Sequence, residues 1–529
     1  MKKNISIVFV ALCSVLLIIS CYDDKSILPD KNSFNDVVID TAGIGSSIRI
    51  GFLEEFKLVP KITFGSRLES DFEFEWSINT NTANMRDIIV LSQDKVFDGF
   101  IPNAISPRAY KLMYKLKDTK YGLEYLTTWD VTVVSSFLDG ILVSETFDGI
   151  TSDFSLIMDK DLTYLWNKDE RIVHTILESG YDESYQGLMN NLHFSIYSSQ
   201  RNQVWAQTPQ GDLVCFNTEA FQVLGKNENV LMLYRPSNFK PGKMYNAQQN
   251  TFLNSNVGLF QINYDTGISF NVATQGFDPD NDVMAWTSYQ GDDPSLVWYN
   301  KVSGKIYKFT NTFVTPIYSN FDPVETGASF DPNNLQGKTA IAGGKTFDNQ
   351  TLALLLKDDA ANSYSIYTFS NYYMDYDTWE STPAAPKAKI DIPSSANSLF
   401  EGAVDVFFAR NEPVLYIAKP NGVYAIPFGT GTGIPDLTPK YTPPAGEVIT
   451  MAKLYMQGKY MAKEQLYSDG IPQMPLNSKA IMLATSKGEY ESKIYVIPMT
   501  QIGTGNLDGS KALTYDGFGK ILGVITVGY

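Results

Sequence analysis

The sequence predicts an all-β chain in two parts, an immunoglobulin/PKD-like β-sandwich followed by a β-propeller of about seven blades. Three observations predict it. Aromatic residues make up 13% of the 529, with 31 Tyr and 31 Phe, and these side chains favour strands. Several runs alternate apolar and polar residues with period two. From about residue 138 onward a hairpin core with a central aromatic residue recurs. A hydrophobic fraction of 44% against 19% charged residues is enough to build cores on this scale.

The first segment reads as an address. Lys2 and Lys3 precede a short apolar stretch from Ile5 to Ile19, which ends in Ser20-Cys21. That stretch is too short and wrongly flanked for a membrane span. A small residue directly before Cys at this point resembles the bacterial lipobox, which implies cleavage after residue 20 and lipidation of Cys21. Residues 1–20 are therefore expected to be a lipoprotein signal peptide, and residues 21–40 the lipidated cysteine and a polar tether. Tyr22-Asp23-Asp24-Lys25 resembles the acidic signal that sends Bacteroidetes lipoproteins to the outer face of the outer membrane. Loss of two lysines with the signal leaves 40 basic against 58 acidic side chains, a formal charge of −18. Cys215 is then the only free thiol, so the mature chain has no internal disulfide. Binding to a nucleic-acid backbone is excluded by the charge.

Residues 41–137 read as the sandwich. Phe72, Phe74, Trp76 and Ile78 alternate with Glu73, Glu75 and Ser77. Tyr110, Leu112, Tyr114 and Leu116 alternate with Lys111, Met113, Lys115 and Lys117, and Trp129, Val131 and Val133 with Asp130 and Thr132. One face of each strand is thus buried and the other wet. Asp118 to Gly122 forms the turn between the last two runs, and Trp76 is the expected anchor of the core.

The lipobox, the tether, the Phe-Glu-Trp strand and the Tyr110–Leu116 and Trp129–Val134 runs are followed by Asp139-Gly140-Ile141-Leu142-Val143. In this order they resemble the PKD-like lipoproteins of Bacteroidetes, over residues 1 to about 150. The PKD glycine-aspartate signature is absent, so the resemblance implies a sandwich shape and no particular ligand. It also implies a place beside Sus-like uptake systems of the outer membrane, with a TonB-dependent channel and its lid lipoprotein as partners.

Residues 138–529 read as the propeller. Five strong hairpin cores are Val204–Phe216, Leu296–Phe309, Leu352–Phe369, Val414–Ile426 and Ile481–Ile497, each with a polar turn between two apolar runs. Weaker copies lie at Ile141–Ile157 and Phe252–Phe270. Seven copies give about 56 residues each, the scale of a four-stranded blade. The tail Ile521–Val527 is expected to pair near Ile141–Val143 and fasten the ring. A pair of β-sandwiches is the competing architecture.

Chemistry-bearing motifs are few. There is no Gly-x-Ser-x-Gly elbow, and the two histidines, His174 and His193, sit among strand-like apolar residues and read as packed or rim histidines. Two histidines also exclude a His-rich metal centre. Asp278, Asp280 and Asp282 begin like a calcium loop, but Val283 and Tyr289 stand where such a loop needs Gly and Glu. Neither a metal nor another cofactor is expected. Gly429 to Gly433 lacks the Lys-Ser or Lys-Thr of a phosphate loop. Clustered aromatics beside carboxylates suit a sugar or peptide platform. On that ground Tyr372, Tyr373, Tyr376 and Trp379 with Asp375 and Asp377 are candidate ligand-binding residues, as are Trp286 and Asp292; packing between blades is the alternative role for these rings.

The expected function is a non-catalytic binding or accessory component of a Sus-like nutrient uptake complex, lipid-anchored in the outer membrane and facing the cell exterior, with glycan or peptide as ligand. The alternative is a carboxylate-dependent propeller glycosidase or lyase, which needs only two suitably spaced acids.

Overall fold

The computed structural model describes residues 37–528 apart from 46, 80–86, 102–108, 136, 138, 165, 167–169, 198–200, 228–229, 231–238, 248–249, 263–269, 271–283, 287–295, 311–316, 347–350, 371–372, 376, 379, 430–435, 459 and 461–471. The chain is nearly all β. No described helix is long and apolar enough to cross a membrane. It divides into two compact units, one formed by Met1–Ile50, Glu55–Phe100 and Arg108–Val133, the other by Gly51–Glu54, Ile101–Pro107 and Val134–Tyr529.

In the first unit the alternating runs form one sheet of five strands, in the order Ser47–Gly51, Glu124–Val134, Ala109–Asp118, Phe72–Asn79, Ile88–Ser92, the last four of them antiparallel to their neighbours in that run. Two short ribbons accompany it, Val38–Asp40 with Lys61–Thr63 and Phe56–Leu58 with Phe97–Gly99. Trp76 is fully buried. Its ring lies 4.3 Å from Tyr114, 5.7 Å from Trp129 and 5.9 Å from Phe97 of a ribbon, so one indole ties the sheet to the ribbon facing it. On the wet face the alternation produces cross-strand ion pairs, Lys115 with Glu75 at 3.0 Å and Lys117 with Glu73 at 2.9 Å, the sheet counterpart of helical charge pairs. The turn at 118–122 is built as its sequence requires. Asp118 accepts the N–H groups of Lys120 and Tyr121, each at 2.9 Å, and its buried carboxylate also pairs with Arg67.

The second unit contains, among the described residues, seven successive antiparallel sheets of three to five strands. The hairpins read from the sequence are their middle strands. Thr151–Met158 pairs with Gly140–Thr146, Arg201–Gln207 with Leu213–Asn217, Asn250–Ser255 with Gly258–Gln261, and Leu296–Asn300 with Lys305–Thr310. Thr351–Asp358 pairs with Ser363–Ser370, Val414–Lys419 with Gly422–Pro427, and Ala480–Gly488 with Glu491–Thr500. Their aromatics, Trp205, Trp298, Tyr367, Tyr416 and Tyr495, are buried, and both faces of each hairpin pack, which explains the continuous apolar runs. One core joins Ile141 and Ile157 to Met482 and Val496, another Leu355 and Ile366 to Leu415 and Ile417, and a third Tyr416 and Ala425 to Leu483 and Ile497.

Six of these sheets open with a leading strand placed ahead of the hairpin: Asn190–Tyr197, Pro241–Ala247, Met284–Trp286, Lys338–Lys345, Asp405–Phe408 and Val448–Leu454. The seventh leading strand comes from the other end of the chain. Lys520–Val527 pairs with Gly140–Thr146, with Ile141 opposite Thr526 and Val143 opposite Val524, the pairing expected of the tail. From Lys520–Val527 through to Val448–Leu454, each leading strand lies against the next. The circuit closes where Thr526 donates to the carbonyl of Met456 and Lys453 Nζ to that of Val524 at 3.0 Å. Further bonds fasten the same seam: Tyr455 Oη to Leu162 O at 2.9 Å, Tyr515 Oη to Asp159 at 3.0 Å, and Gly519 N–H to Glu145 at 2.6 Å.

Candidate functional site

Three leading strands carry charged side chains, Lys243, Asp405 and Lys453. Lys453 on Val448–Leu454 is half-buried, with its ammonium donating to Val524 O. Asp405, at the start of the neighbouring leading strand, accepts the N–H of Ala452 at 2.8 Å. Burial raises the Asp405 carboxyl, while the Ala452 N–H and the charges of Lys453 and Lys243 pull it back down. Burial lowers Lys453, Asp405 opposes that shift and Lys243 adds to it. Lys243 lies on Pro241–Ala247 and is exposed. His193, on Asn190–Tyr197, meets Asn246 Oδ1 at 2.9 Å. Asn246 donates its amide to Phe194 O at 2.8 Å and accepts from Thr251 at 3.0 Å, so the network assigns the His193 proton to Nε2. Burial pushes His193 down to about 4, with the charge of Lys453 contributing in the same direction, so it is neutral at pH 7. These four residues, drawn from leading strands far apart in the chain, are coupled through the charges of Lys453, Asp405 and Lys243 and are called here the charged layer.

Three of the leading strands that carry these residues are irregular. The register shifts between Asn190 and His193, between Pro241 and Met244, and between Ile449 and Met451. Such bulges re-aim side chains and recur beside binding sites. Asn191, inside the first of them, takes a left-handed φ of 46°, a strained conformation for a residue with a side chain.

A second feature lies between the first two sheets. Tyr181, Tyr185, Phe216 and Phe221 line a mainly apolar cleft of about 210 Å³, with Glu183 and Gln222 as polar members. Tyr181 Oη donates to Ala220 O at 2.5 Å, and the Lys226 ammonium stands 4.9 Å from the Tyr185 ring centre. The cleft offers ring faces to a flat apolar ligand surface.

Of the residues singled out from the sequence, Cys21, Tyr372, Tyr376, Trp379 and Asp292 lie outside the described residues, as do the side chains of Tyr373 and Trp286. The backbone of the aromatic segment forms a small ribbon, Tyr373–Asp375 with Glu380–Thr382. Asp375 spends its carboxylate on its own turn, accepting the N–H of Asp377 at 2.9 Å and of Thr378 at 3.3 Å. Asp377 is exposed. Met284–Trp286 is the leading strand of its sheet. The charged layer was missed because Lys243, Asp405 and Lys453 stand alone in sequence; only the closing of the circuit brings them together.

The other histidine takes part in a structural cluster. Ser155 Oγ donates to the Glu145 carboxylate, accepts from Thr175 N–H at 3.4 Å and lies 3.3 Å from His174 Nδ1. A buried serine hydroxyl committed to a carboxylate is a poor nucleophile, since it lacks the free base and open approach that acyl transfer requires. No group of metal-binding side chains occurs among the described residues.

No protein-family model matches the sequence, and no characterised protein does. Similar solved structures include a quinonprotein alcohol dehydrogenase-like protein from Bacteroides thetaiotaomicron, 12% identical over 92% of this chain and 98% of that one, TM-score 0.48. Apo AztD from Citrobacter koseri is 9% identical over 74% of this chain and 98% of its own, TM-score 0.35. The WD40 domain of SCAP from fission yeast is 11% identical over 64% and 75%, TM-score 0.31. The solved structures this chain resembles are β-propeller-like, and at these identities the likeness concerns the fold alone.

Proposed function

We propose that this chain is a lipid-anchored protein of the outer membrane, held through Cys21 and facing the cell exterior. In this reading an immunoglobulin/PKD-like sandwich follows the tether, and the seven sheets are the blades of a propeller. The propeller is a non-catalytic binding component of a Sus-like uptake complex for glycan or peptide, with a TonB-dependent channel and its lid lipoprotein as partners. The observation that carries the binding role is the charged layer on the leading strands. Lys453, Asp405 and Lys243 stand on three different leading strands, and their charges act on one another. Taking Lys453 and Asp405 out of water costs stability that pairing offsets, and a bound partner adds to that pairing. The lipobox-like Ser20-Cys21 supports the anchor.

The test is affinity capture of the tagged protein from detergent-solubilised outer membrane, combined with a glycan and peptide binding panel. Co-recovery of a channel and a lid lipoprotein is expected, together with binding of at least one class on the panel. Recovery of the protein alone with no ligand bound overturns the proposal.

A further inference from the structure

We infer that the cleft between the first two sheets is a binding site for an aromatic side chain that carries a ring N–H or O–H donor, presented by a peptide. The inference goes beyond the proposed function. None of the cleft residues belongs to the charged layer, and the site stands or falls independently of any uptake complex. Its floor is made of rings held in place from behind. Phe216 and Phe221 are buried, and both pack on Phe154, with ring centres 5.1 and 5.4 Å from it. Phe137 lies 5.3 Å from Phe221. Tyr185 stands 6.4 Å from Phe216 with the two planes 73° apart, so two ring walls meet at a steep angle. Tyr181 ends the helix Ile176–Tyr181 and is tethered through its Oη to Ala220 O at 2.5 Å. Phe221 takes a left-handed φ of 55°, a strained backbone for a bulky ring. Side chains fixed in this way hold the space between them open, about 210 Å³ of it, in contrast to the close-packed hairpins.

The polar inventory of the lining selects the ligand. Ser184 donates its hydroxyl to Asp153 at 3.2 Å, Tyr181 donates to Ala220 O, and the Gln222 side chain bonds Tyr181. Glu183 is exposed and has no partner among the described residues. The cleft therefore offers several ring faces and an uncommitted carboxylate as acceptor. A sugar brings several hydroxyls, most of which would lie against apolar rings without a partner, and each such burial is a net loss. An indole or a phenol brings one donor, which Glu183 accepts, and buries its apolar faces against the rings. A cationic ligand is disfavoured. The Lys226 ammonium already stands 4.9 Å from the centre of the Tyr185 ring and repels a second positive charge. Val223 lines the cleft and is 53% exposed, so apolar surface continues to the rim, where the chain that carries the ring can run on.

The experiment uses the full chain in detergent and calorimetric titration with Gly-Trp-Gly, Gly-Phe-Gly, Gly-Leu-Gly and free tryptophan. Gly-Trp-Gly is expected to bind with a Kd of about 0.1–1 mM, the scale for a single buried ring. Gly-Phe-Gly, which lacks the donor, is expected to bind about five- to tenfold more weakly. Gly-Leu-Gly and free tryptophan are expected to bind more weakly than Gly-Trp-Gly, and a neutral galactose oligomer is expected not to displace it. Glu183→Ala removes the acceptor. It is expected to bring Gly-Trp-Gly down to the affinity of Gly-Phe-Gly and to leave Gly-Phe-Gly unchanged, a pattern that a general loss of structure does not produce. Val223→Asp puts a carboxylate into the apolar lining and is expected to weaken both aromatic peptides by about tenfold. Both side chains are exposed, so both variants are expected to fold. The inference is overturned by absence of Gly-Trp-Gly binding, by equal binding of Gly-Leu-Gly or free tryptophan, or by displacement by the galactose oligomer. An unchanged preference for Gly-Trp-Gly over Gly-Phe-Gly in Glu183→Ala, or unchanged affinities in Val223→Asp, overturns it as well.

Discussion

Glu145 offers a direct reading of how the seam of the second unit is held. Its side chain is fully buried on Gly140–Thr146, the strand that receives the C-terminal tail. The carboxylate accepts from Ser155 and from Gly519 N–H. Burial nevertheless dominates and raises the carboxyl from 4.5 to about 7. The folded state therefore holds a proton that the unfolded chain releases above about pH 4.5. Stability falls as the pH rises from the unfolded value through the folded one, and is level beyond it. At 1.36 kcal/mol for each unit, the shift corresponds to about 3 kcal/mol lost between about pH 4.5 and about pH 8. Glu145→Gln cannot titrate. It also has one acceptor oxygen for two donors, so it starts with a fixed cost of about 1–3 kcal/mol at every pH. The distinguishing quantity is the slope. Urea denaturation at about pH 4.5 and about pH 8, at matched ionic strength, should show the wild type losing about 3 kcal/mol more than the variant over that interval. Equal pH dependence in the two proteins would refute the reasoning. Asp139, at the start of the same seam, is also raised by burial to about 7, so the Glu145→Gln variant should keep a falling, though shallower, profile.

Two further outcomes follow from packing. Trp76→Ala removes the indole that holds Tyr114, Trp129 and Phe97 together and should cost about 3–5 kcal/mol; a thermal scan with an unchanged transition for the first unit would contradict the described core. Cys215 is buried, and burial pushes its thiol well above the ordinary range. Iodoacetamide should therefore leave it unmodified in the native protein and alkylate it in urea; mass spectrometry showing rapid native alkylation would contradict its placement.

The parts of this molecule legible in the sequence are those governed by local pattern. Middle hairpins such as Val414–Ile426 declare themselves because both faces are buried and a Gly-containing turn joins two apolar runs. The first unit is legible for a related reason: Glu73 and Glu75 on one strand answer Lys117 and Lys115 on its neighbour, so alternation and charge agree. The leading strands were harder to read. Lys338–Lys345 reads Lys-Thr-Ala-Ile-Ala-Gly-Gly-Lys and Pro241–Ala247 begins with Pro-Gly-Lys, compositions that suit loops as well as strands. They become strands because tertiary contacts supply what propensity does not. The charged layer is a product of that same long-range assembly. Lys243 and Lys453 stand 210 positions apart in the numbering, and no motif spacing can join them. Clustered aromatics are legible instead, because their short-range pattern is visible without a fold.

The second unit is closed by its own tail, so that sheets read as separate hairpins become one circuit. Native-state hydrogen exchange on the full chain and on a chain lacking residues 520–529 tests it most directly. Ile521, Val524, Ile525 and Val527 are buried, and losing them removes about 6–12 kcal/mol of apolar burial, comparable with the whole stability of a typical domain. The account predicts that amides of Gly140–Thr146 and Val448–Leu454, protected in the full chain, exchange rapidly in the shortened one. Unchanged protection of both strands after the tail is removed would contradict it.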